Sequence, residues 1–333
     1  MPSNLIPPGL SYLAENIKSK DNILGVNKKQ GAEWAKGLNL QKTSETMFFA
    51  GCGYQYSSDM ESMMALLRKI DKSTISTEWT MGMAGFQKKL GIDAAGIYRK
   101  LMSRKAGENQ PLVDVVKVLT NLGIKFGYMA EEEPCCGGPL YFSGLQQDFS
   151  TRAQSVYGKF KARNVKEIIS IVPSCTYTLR DLLPKFAGGE RINVRHFCEI
   201  AAEKIPAMKL KYPRKVRMTY HDSCQLVRYL GLVKEPRAVL GSIEGIDFVE
   251  PRWTTGEWAT CCGGGGGFEV IFPELSLTLA KNRAKELVET GAEIIVTHCP
   301  GCIMQLEAGL KELNLNNIKV LDLSQVIAEA MGV

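Results

Sequence analysis

Glu293-Ile294-Ile295-Val296-Thr297-His298-Cys299-Pro300-Gly301-Cys302 is a short apolar run that ends in a Cys-x-x-Cys turn. The run reads as a buried strand. It recurs upstream as Glu167-Ile168-Ile169-Ser170-Ile171-Val172-Pro173-Ser174-Cys175, where Val172-Pro173-Ser174-Cys175 matches Cys299-Pro300-Gly301-Cys302 position for position. A strand delivering cysteines to one place, twice in one chain, predicts an internal repeat of two related domains.

The rest of each copy extends upstream. Between the adjacent pair Cys261-Cys262 and Cys299 lie 36 residues, and between the pair Cys135-Cys136 and Val172 lie 35. Single cysteines, Cys224 and Cys52, open the two sets. Cys52 follows the apolar run Glu45 to Ala50, and Cys224 follows Val216 to Tyr220, so both sit at the carboxyl end of an expected strand. Open α/β sheets carry their sites at such ends. Strand and helix alternate in each half: Leu112 to Phe126 reads as an amphipathic helix and then a strand, and Pro273 to Glu289 reads as a helix opened by proline and followed by Gly291. The expected fold is two pseudo-symmetric α/β domains, Rossmann-like with parallel sheets.

Residues 1–45 form an N-terminal extension, with a helix-like segment after Pro7-Pro8 and Trp34 packing on the body. Residues 46–207 form the first domain and 208–333 the second, with the basic stretch Lys209 to Arg217 read as a solvated linker. The gap from Cys52 to Cys135 is 82 residues, against 36 from Cys224 to Cys261, which marks a helical insert over about 57–108. The insert holds Met60, Met63, Met64, Met81, Met83, Met102 and Trp79. It reads as ordinary helical core, with a docking face or a lid as the alternative.

The C-terminal set, Cys224, Cys261, Cys262, Cys299 and Cys302, has five thiols. A structural zinc ion takes four ligands, so a fifth has no role there. Adjacent cysteines leave the backbone in different directions and suit two metal atoms, as in a polynuclear iron-sulfur cluster. A zinc knuckle or a redox dithiol would use Cys299 and Cys302 and leave the other three idle. Gly263 and Gly264 open a run of five glycines that lets backbone approach closely and aim N–H groups at an anionic cluster. The N-terminal set keeps Cys52, Cys135, Cys136 and Cys175, with Val172 in the fifth place. Four thiols serve a second iron-sulfur cluster or an all-cysteine zinc site. Cys198 and His196 are replacement ligands to consider, although Cys198 reads better as a small buried thiol on a helix.

The strings Tyr220-His221-Asp222-Ser223-Cys224, Glu235-Pro236-Arg237, Cys261-Cys262-Gly263 and Cys299-Pro300-Gly301-Cys302 resemble the CCG (cysteine-rich) domain family. That family includes the cysteine-rich subunit of heterodisulfide reductase, to which the chain is most similar in type. It also includes iron-sulfur subunits of glycolate, lactate and anaerobic glycerol-3-phosphate dehydrogenases, and a subunit of some succinate:quinone reductases. The resemblance implies a non-cubane four-iron four-sulfur cluster held by the five C-terminal cysteines. It implies an oxidoreductase subunit that reduces a disulfide or related sulfur substrate, or runs the reverse. Its expected partners are a ferredoxin-type iron-sulfur subunit like that of heterodisulfide reductase and a flavoprotein subunit. The other reading is an electron-transfer subunit of a hydroxyacid, glycerol-3-phosphate or succinate dehydrogenase complex, passing electrons to quinone.

Composition narrows the setting. Apolar residues are 45% and charged residues 23%, ordinary for a soluble globular chain. No apolar run approaches a membrane span, and the N-terminal residues lack the blocks of a signal peptide, so a cytoplasmic or peripheral membrane location is expected. Ten cysteines in a reducing compartment point to metal rather than disulfides. The formal charge of +6 is mild and comes without an aromatic-interleaved basic stripe, which argues against nucleic acid. The chain contains no ferredoxin cysteine run, so its electrons are expected from another subunit. Of the three histidines, His221 and His298 lie within three residues of cluster cysteines. His221 is a candidate proton donor to a leaving thiolate, or else a residue that orders its turn. His298, at a buried strand end, reads as structural.

Overall fold

The computed structural model describes residues 6–71 and 109–333. Among the described residues, eight strands form two four-stranded sheets of the same order. The first sheet takes β1 (Thr46–Phe49), β2 (Gly127–Tyr128), β3 (Glu167–Ser170) and β4 (Asn193–His196) in the order β2-β1-β3-β4. The second takes β5 (Lys211–Tyr220), β6 (Glu244–Val249), β7 (Ile294–Thr297) and β8 (Lys319–Asp322) in the order β6-β5-β7-β8. Every pairing is parallel. Register repeats too, since Ser170 pairs with His196 as Thr297 pairs with Asp322. The expected pair of parallel-sheet α/β domains is the observed one.

Parallel sheets are covered on both faces, and the inner strands β1, β3 and β7 are accordingly mostly buried. All four residues of β7 are buried, as are Ile168, Ile169 and Ser170 of β3. The Gln110–Asn121 helix buries Leu112, Val115, Val116 and Leu119 at helical spacing, as its periodicity predicts.

The final helix of each half crosses to the other half. Phe197–Lys204 packs on Lys234–Ser242, and Leu323–Met331 packs on Gln110–Asn121. The residues that open these helices, His196 and Asp322, occupy equivalent positions and both complete capping boxes. One hydrophobic core therefore runs through both sheets, from Phe48 and Leu119 to Met218 and Val326.

One segment differs from its sequence reading, and two others follow theirs. The basic stretch is mostly strand rather than linker: β5 starts at Lys211, and its outward side chains pair Lys211 with Glu244, Arg214 with Glu293 and Arg217 with Asp247. The N-terminal extension is part of the body. Trp34 is buried against Phe48 and Tyr128 and donates to the Tyr128 hydroxyl at 3.1 Å, while Leu10 of the Pro8–Lys20 helix packs against Gly267 of the glycine run. From the insert, the Ser57–Asp71 helix places Met64 with Val270 and Met304, and Met60 and Met63 join them with Tyr12. These methionines are core. Met81, Met83, Met102 and Trp79 lie outside the described residues. Among the described residues, no helix is long and apolar enough to cross a membrane.

Candidate metal centres

The C-terminal centre starts where β5 ends. Asp222, wholly buried, fixes the turn to Cys224. It accepts two bonds from Arg237, at 2.9 and 2.8 Å, and one from the Gly256 N–H at 2.7 Å. Arg237 is the arginine of the Glu235-Pro236-Arg237 string, which explains that string physically. The loop after β6 brings Cys261 and Cys262. Gly263 follows at φ +85°, where a Cβ would lie 2.2 Å from the Ser276 carbonyl oxygen, so only glycine fits. Its N–H donates to Cys261 Sγ at 3.3 Å, and Ser276 Oγ donates to its carbonyl at 2.8 Å. Gly264 lies against Gln305, whose Cγ would be 2.8 Å from a Cβ there. Cys299 is the N-cap of the Pro300–Glu312 helix and Cys302 lies in its first turn.

These elements converge. Cys262 Sγ and Cys302 Sγ are 3.3 Å apart, and a ring nitrogen of His221 lies within 4.8 Å of both. Cys261 is exposed, and Cys224 and Cys299 are half-buried. Together with His221, Cys262 and Arg228, Cys224 and Cys261 line a pocket above the thiols. Burial pushes the Cys224 thiol up to about 11, helped by Cys299 and Cys262. So many adjacent thiols cannot all ionise unless a cation balances them. His221 Nε2 and Ser223 Oγ are buried beside them without an oxygen or nitrogen partner, as donors to an anionic group would be. The residues present fit a metal-sulfur cluster.

The N-terminal centre is closed. Cys52 follows β1, Cys135 and Cys136 follow β2, and Cys175 follows β3; all four are buried. Cys136 Sγ and Cys175 Sγ are 3.3 Å apart, and contacts run on through Cys135 to Cys52. Val172 lies over the site, its Cγ2 2.8 Å from where a Cβ on Gly51 would be. The extension seals the remaining side, as Asp21 accepts from the Cys135 N–H at 2.9 Å. Arg152 donates twice to the Cys135 carbonyl, at 3.0 and 2.9 Å, and pairs with Asp21. Buried Glu133 accepts from the N–H groups of Ala50 and Gly51, at 2.8 and 2.9 Å, and from Gln55 at 3.0 Å. Burial lifts its carboxyl to about 7.

His196 is no ligand here. Its Nε2 faces the Ile171 carbonyl at 3.0 Å and its Nδ1 accepts from the Cys198 N–H at 3.2 Å, so both nitrogens are engaged. Cys198 is fully buried in the core.

The two centres meet at the domain contact. Gly53 abuts Pro300, with 2.6 Å between its Cβ position and the proline Cγ. The Tyr54 hydroxyl donates to Asp322, which holds His298 Nδ1 at 2.8 Å, and the His298 ring meets the His196 ring edge-on with centroids 4.8 Å apart.

Several residues in these networks were not flagged by sequence. Arg283 is one with a readable signal: it interrupts the apolar stripe Leu277, Ala280, Ala284 and Leu287 of the Pro273–Val288 helix. A charge in such a stripe asks for a buried partner. Glu133, Arg152 and Tyr54 carried no comparable signal.

The chain belongs to the cysteine-rich (CCG) domain family, which matches residues 100–180 and 218–307. It is similar to a subunit of the dihydromethanophenazine:CoB–CoM heterodisulfide reductase of Methanosarcina barkeri, 34% identical over 65% of this chain and 54% of that one. It is also similar to the EtfAB:quinone oxidoreductase of Syntrophomonas wolfei, 32% identical over 65% of this chain and 31% of that one. A third relative is a subunit of the fumarate reductase (CoM/CoB) of Methanothermobacter marburgensis, 29% identical over 64% of this chain and 42% of that one. The chain thus spans about half the length, or less, of these curated relatives. Among solved structures, a hypothetical protein from Helicobacter pylori shares the fold, with a TM-score of 0.51 at 15% identity, over 70% of this chain and 48% of that one.

Proposed function

We propose that the chain is an iron-sulfur subunit of an oxidoreductase complex, and that its C-terminal centre exchanges two electrons and two protons with a disulfide or related sulfur substrate. The observation that carries this reading is the difference in access. The four N-terminal thiols are buried, whereas Cys261 is exposed and shares a pocket with Cys224. Cys224, Cys261, Cys262, Cys299 and Cys302 would hold a non-cubane four-iron four-sulfur cluster, and Cys52, Cys135, Cys136 and Cys175 a second cluster or zinc. When bound, such a cluster supplies one-electron steps and an iron that can take a sulfur ligand.

The chain's own residues shape that chemistry. Splitting R–S–S–R′ takes two electrons and two protons and yields two thiols, so thiolate charge develops near the pocket. Arg228 stands at the pocket, its guanidinium held by the Ala259 carbonyl at 2.9 Å, and it places a positive charge beside Cys224. That charge stabilises a departing thiolate or the anionic end of a substrate. A ferredoxin-type subunit would supply the electrons and a flavoprotein subunit would feed it, in the cytoplasm or at a membrane face. The relative named as an EtfAB:quinone oxidoreductase favours a second reading, in which the same centre relays electrons without binding a sulfur substrate.

The test is anaerobic iron, sulfide and zinc analysis with EPR on the wild type, Cys52→Ala and Cys261→Ala, followed by heterodisulfide turnover with a reduced viologen. Roughly eight irons, halved by either variant, is the result expected for two clusters. About four irons with one zinc places all redox chemistry in the C-terminal half. Zinc without iron would overturn the reading, and loaded clusters with no disulfide turnover but with quinone reduction would favour the relay.

A further inference from the structure

Arg283 and His221 form a buried couple outside the cysteine motifs. Arg283 is fully buried. Its Nε–H donates to His221 Nδ1 at 3.0 Å, while Nη1 donates to the Thr254 carbonyl at 3.0 Å and to Glu286 at 2.7 Å. A guanidinium has donors only. Nδ1 must therefore accept, and the ring proton sits on Nε2. Nε2 is buried with no oxygen or nitrogen partner, and the ring lies within reach of Cys262 and Cys302, whose sulfurs and a ring nitrogen fall within 4.8 Å of one another.

We propose that His221 Nε2–H is a fixed hydrogen-bond donor to Cys262 Sγ in the loaded centre, and that Arg283 is the positioning residue that sets its tautomer. The consequence is a raised reduction potential for the C-terminal centre, because a hydrogen bond to a cluster thiolate stabilises the more negative, reduced state. The inference rests on the iron-sulfur reading above. It replaces the proton-donor role expected for His221, whose ring is 1% exposed and whose outer nitrogen is tied to a buried arginine. The donor is particular to this half. Counting back from the first cysteine, Phe49 stands in the N-terminal half where His221 stands here, and Gly51 where Ser223 stands.

The test uses the intact, loaded chain. Pulsed EPR on the reduced wild type with ¹⁵N-histidine should show one weakly coupled nitrogen and one exchangeable proton, both absent in His221→Leu. In a redox titration, His221→Leu and Arg283→Met should move the C-terminal signal to lower potential. The expected size is about a tenfold smaller reduced-to-oxidised ratio at fixed poise, or ~59 mV for a one-electron couple. His221→Gln, which retains an N–H, should recover part of the shift. A wild-type centre without histidine coupling overturns the inference, and so does a loaded His221→Leu that titrates at the wild-type potential. If His221→Leu does not load, the wild-type coupling and Arg283→Met decide. A wild type that holds no iron would instead sink the earlier reading.

Discussion

The turn after β1 and the turn after β5 do the same job with acids from different places. After β5 the acid is in the turn: Asp222 is buried, its charge answered by Arg237 and its second oxygen also taken by the Gly256 N–H. After β1 the corresponding residue is Ala50, and the acid comes from the cysteine-pair loop, where Glu133 reaches over to the Ala50 and Gly51 N–H groups. The C-terminal turn is thus braced by an ion pair and leaves Cys224 and Cys261 beside a small pocket. The N-terminal turn is braced by a single acid whose bonds are to uncharged groups, inside a site sealed by Val172 and Asp21. One cysteine scaffold is built once for access and once for enclosure.

Breaking the ion-pair brace should have the largest effect on stability. Arg237→Ala leaves Asp222 charged and buried without its partner, and removal of one member of such a pair costs ~3–5 kcal/mol. Urea melts of the wild type and variant would measure it. A loss below about 1 kcal/mol would mean that the Gly256 N–H and the backbone hold the turn alone.

The N-terminal brace should answer to pH instead. Glu133 titrates at about 7 in the folded chain against an ordinary 4.5. The folded state binds that proton more tightly, so its contribution is fully present below pH 4.5 and lost as pH rises through about 7. The loss is on the order of 3 kcal/mol. Melting curves of chelator-treated protein across this range should fall with pH, and Glu133→Gln should flatten them. Stability that rises over the range would show that the three donors outweigh burial and keep the carboxylate ionised.

A smaller effect is expected where the halves meet. Tyr54→Phe removes the hydroxyl that donates to buried Asp322 and leaves that carboxylate with His298 and Ser324. A bond to a charged group is worth about 2 kcal/mol. Because the core is continuous through both sheets, the melt should remain a single transition at lower temperature. Two separated transitions would show that the tyrosine is the main tie between the domains.

The repeat made the sheets legible. Glu167 to Cys175 and Glu293 to Cys302 share a pattern, and the pattern becomes β3 and β7 at the same place in identical strand orders. The cysteines were legible for the same reason, since strand ends at one edge must bring them together. The braces were not. Glu133 and Arg283 act on residues 83 and 62 positions away, and no local period records a partner so distant. The basic stretch misled because charges on a half-exposed strand look like charges on a linker until the buried residues between them, Tyr212 and Val216, are set against the sheet. The extension's helix and the packing of Trp34 were legible, but its contact with the first centre was not: Asp21 is an ordinary helix-end acid until the Cys135 N–H is placed beside it.

The last difference between the centres is a single side chain, and it can be removed. Val172 occupies the place that Cys299 holds in the other half, beside Cys175 and above Gly51. Val172→Cys is close to volume-conserving at a buried site, so it should cost less than about 1.5 kcal/mol. Its effect on composition should be much larger than its effect on stability. If enclosure and a missing fifth thiol together define the N-terminal centre, the variant should bind more iron and show an EPR signal resembling that of the C-terminal centre, now in two copies. Val172 is buried, and the position of a Cβ on Gly51 lies 2.8 Å from its Cγ2 and 3.2 Å from Cys175 Sγ, so the substitution falls within the closed site rather than at solvent. If the variant loads as the wild type does, the fifth cysteine is not what separates the two centres. The distinction would then rest on the donors of the C-terminal turn, His221 and Ser223, for which Phe49 and Gly51 are no substitute, and His221 with Ser223 would be the pair to transplant next.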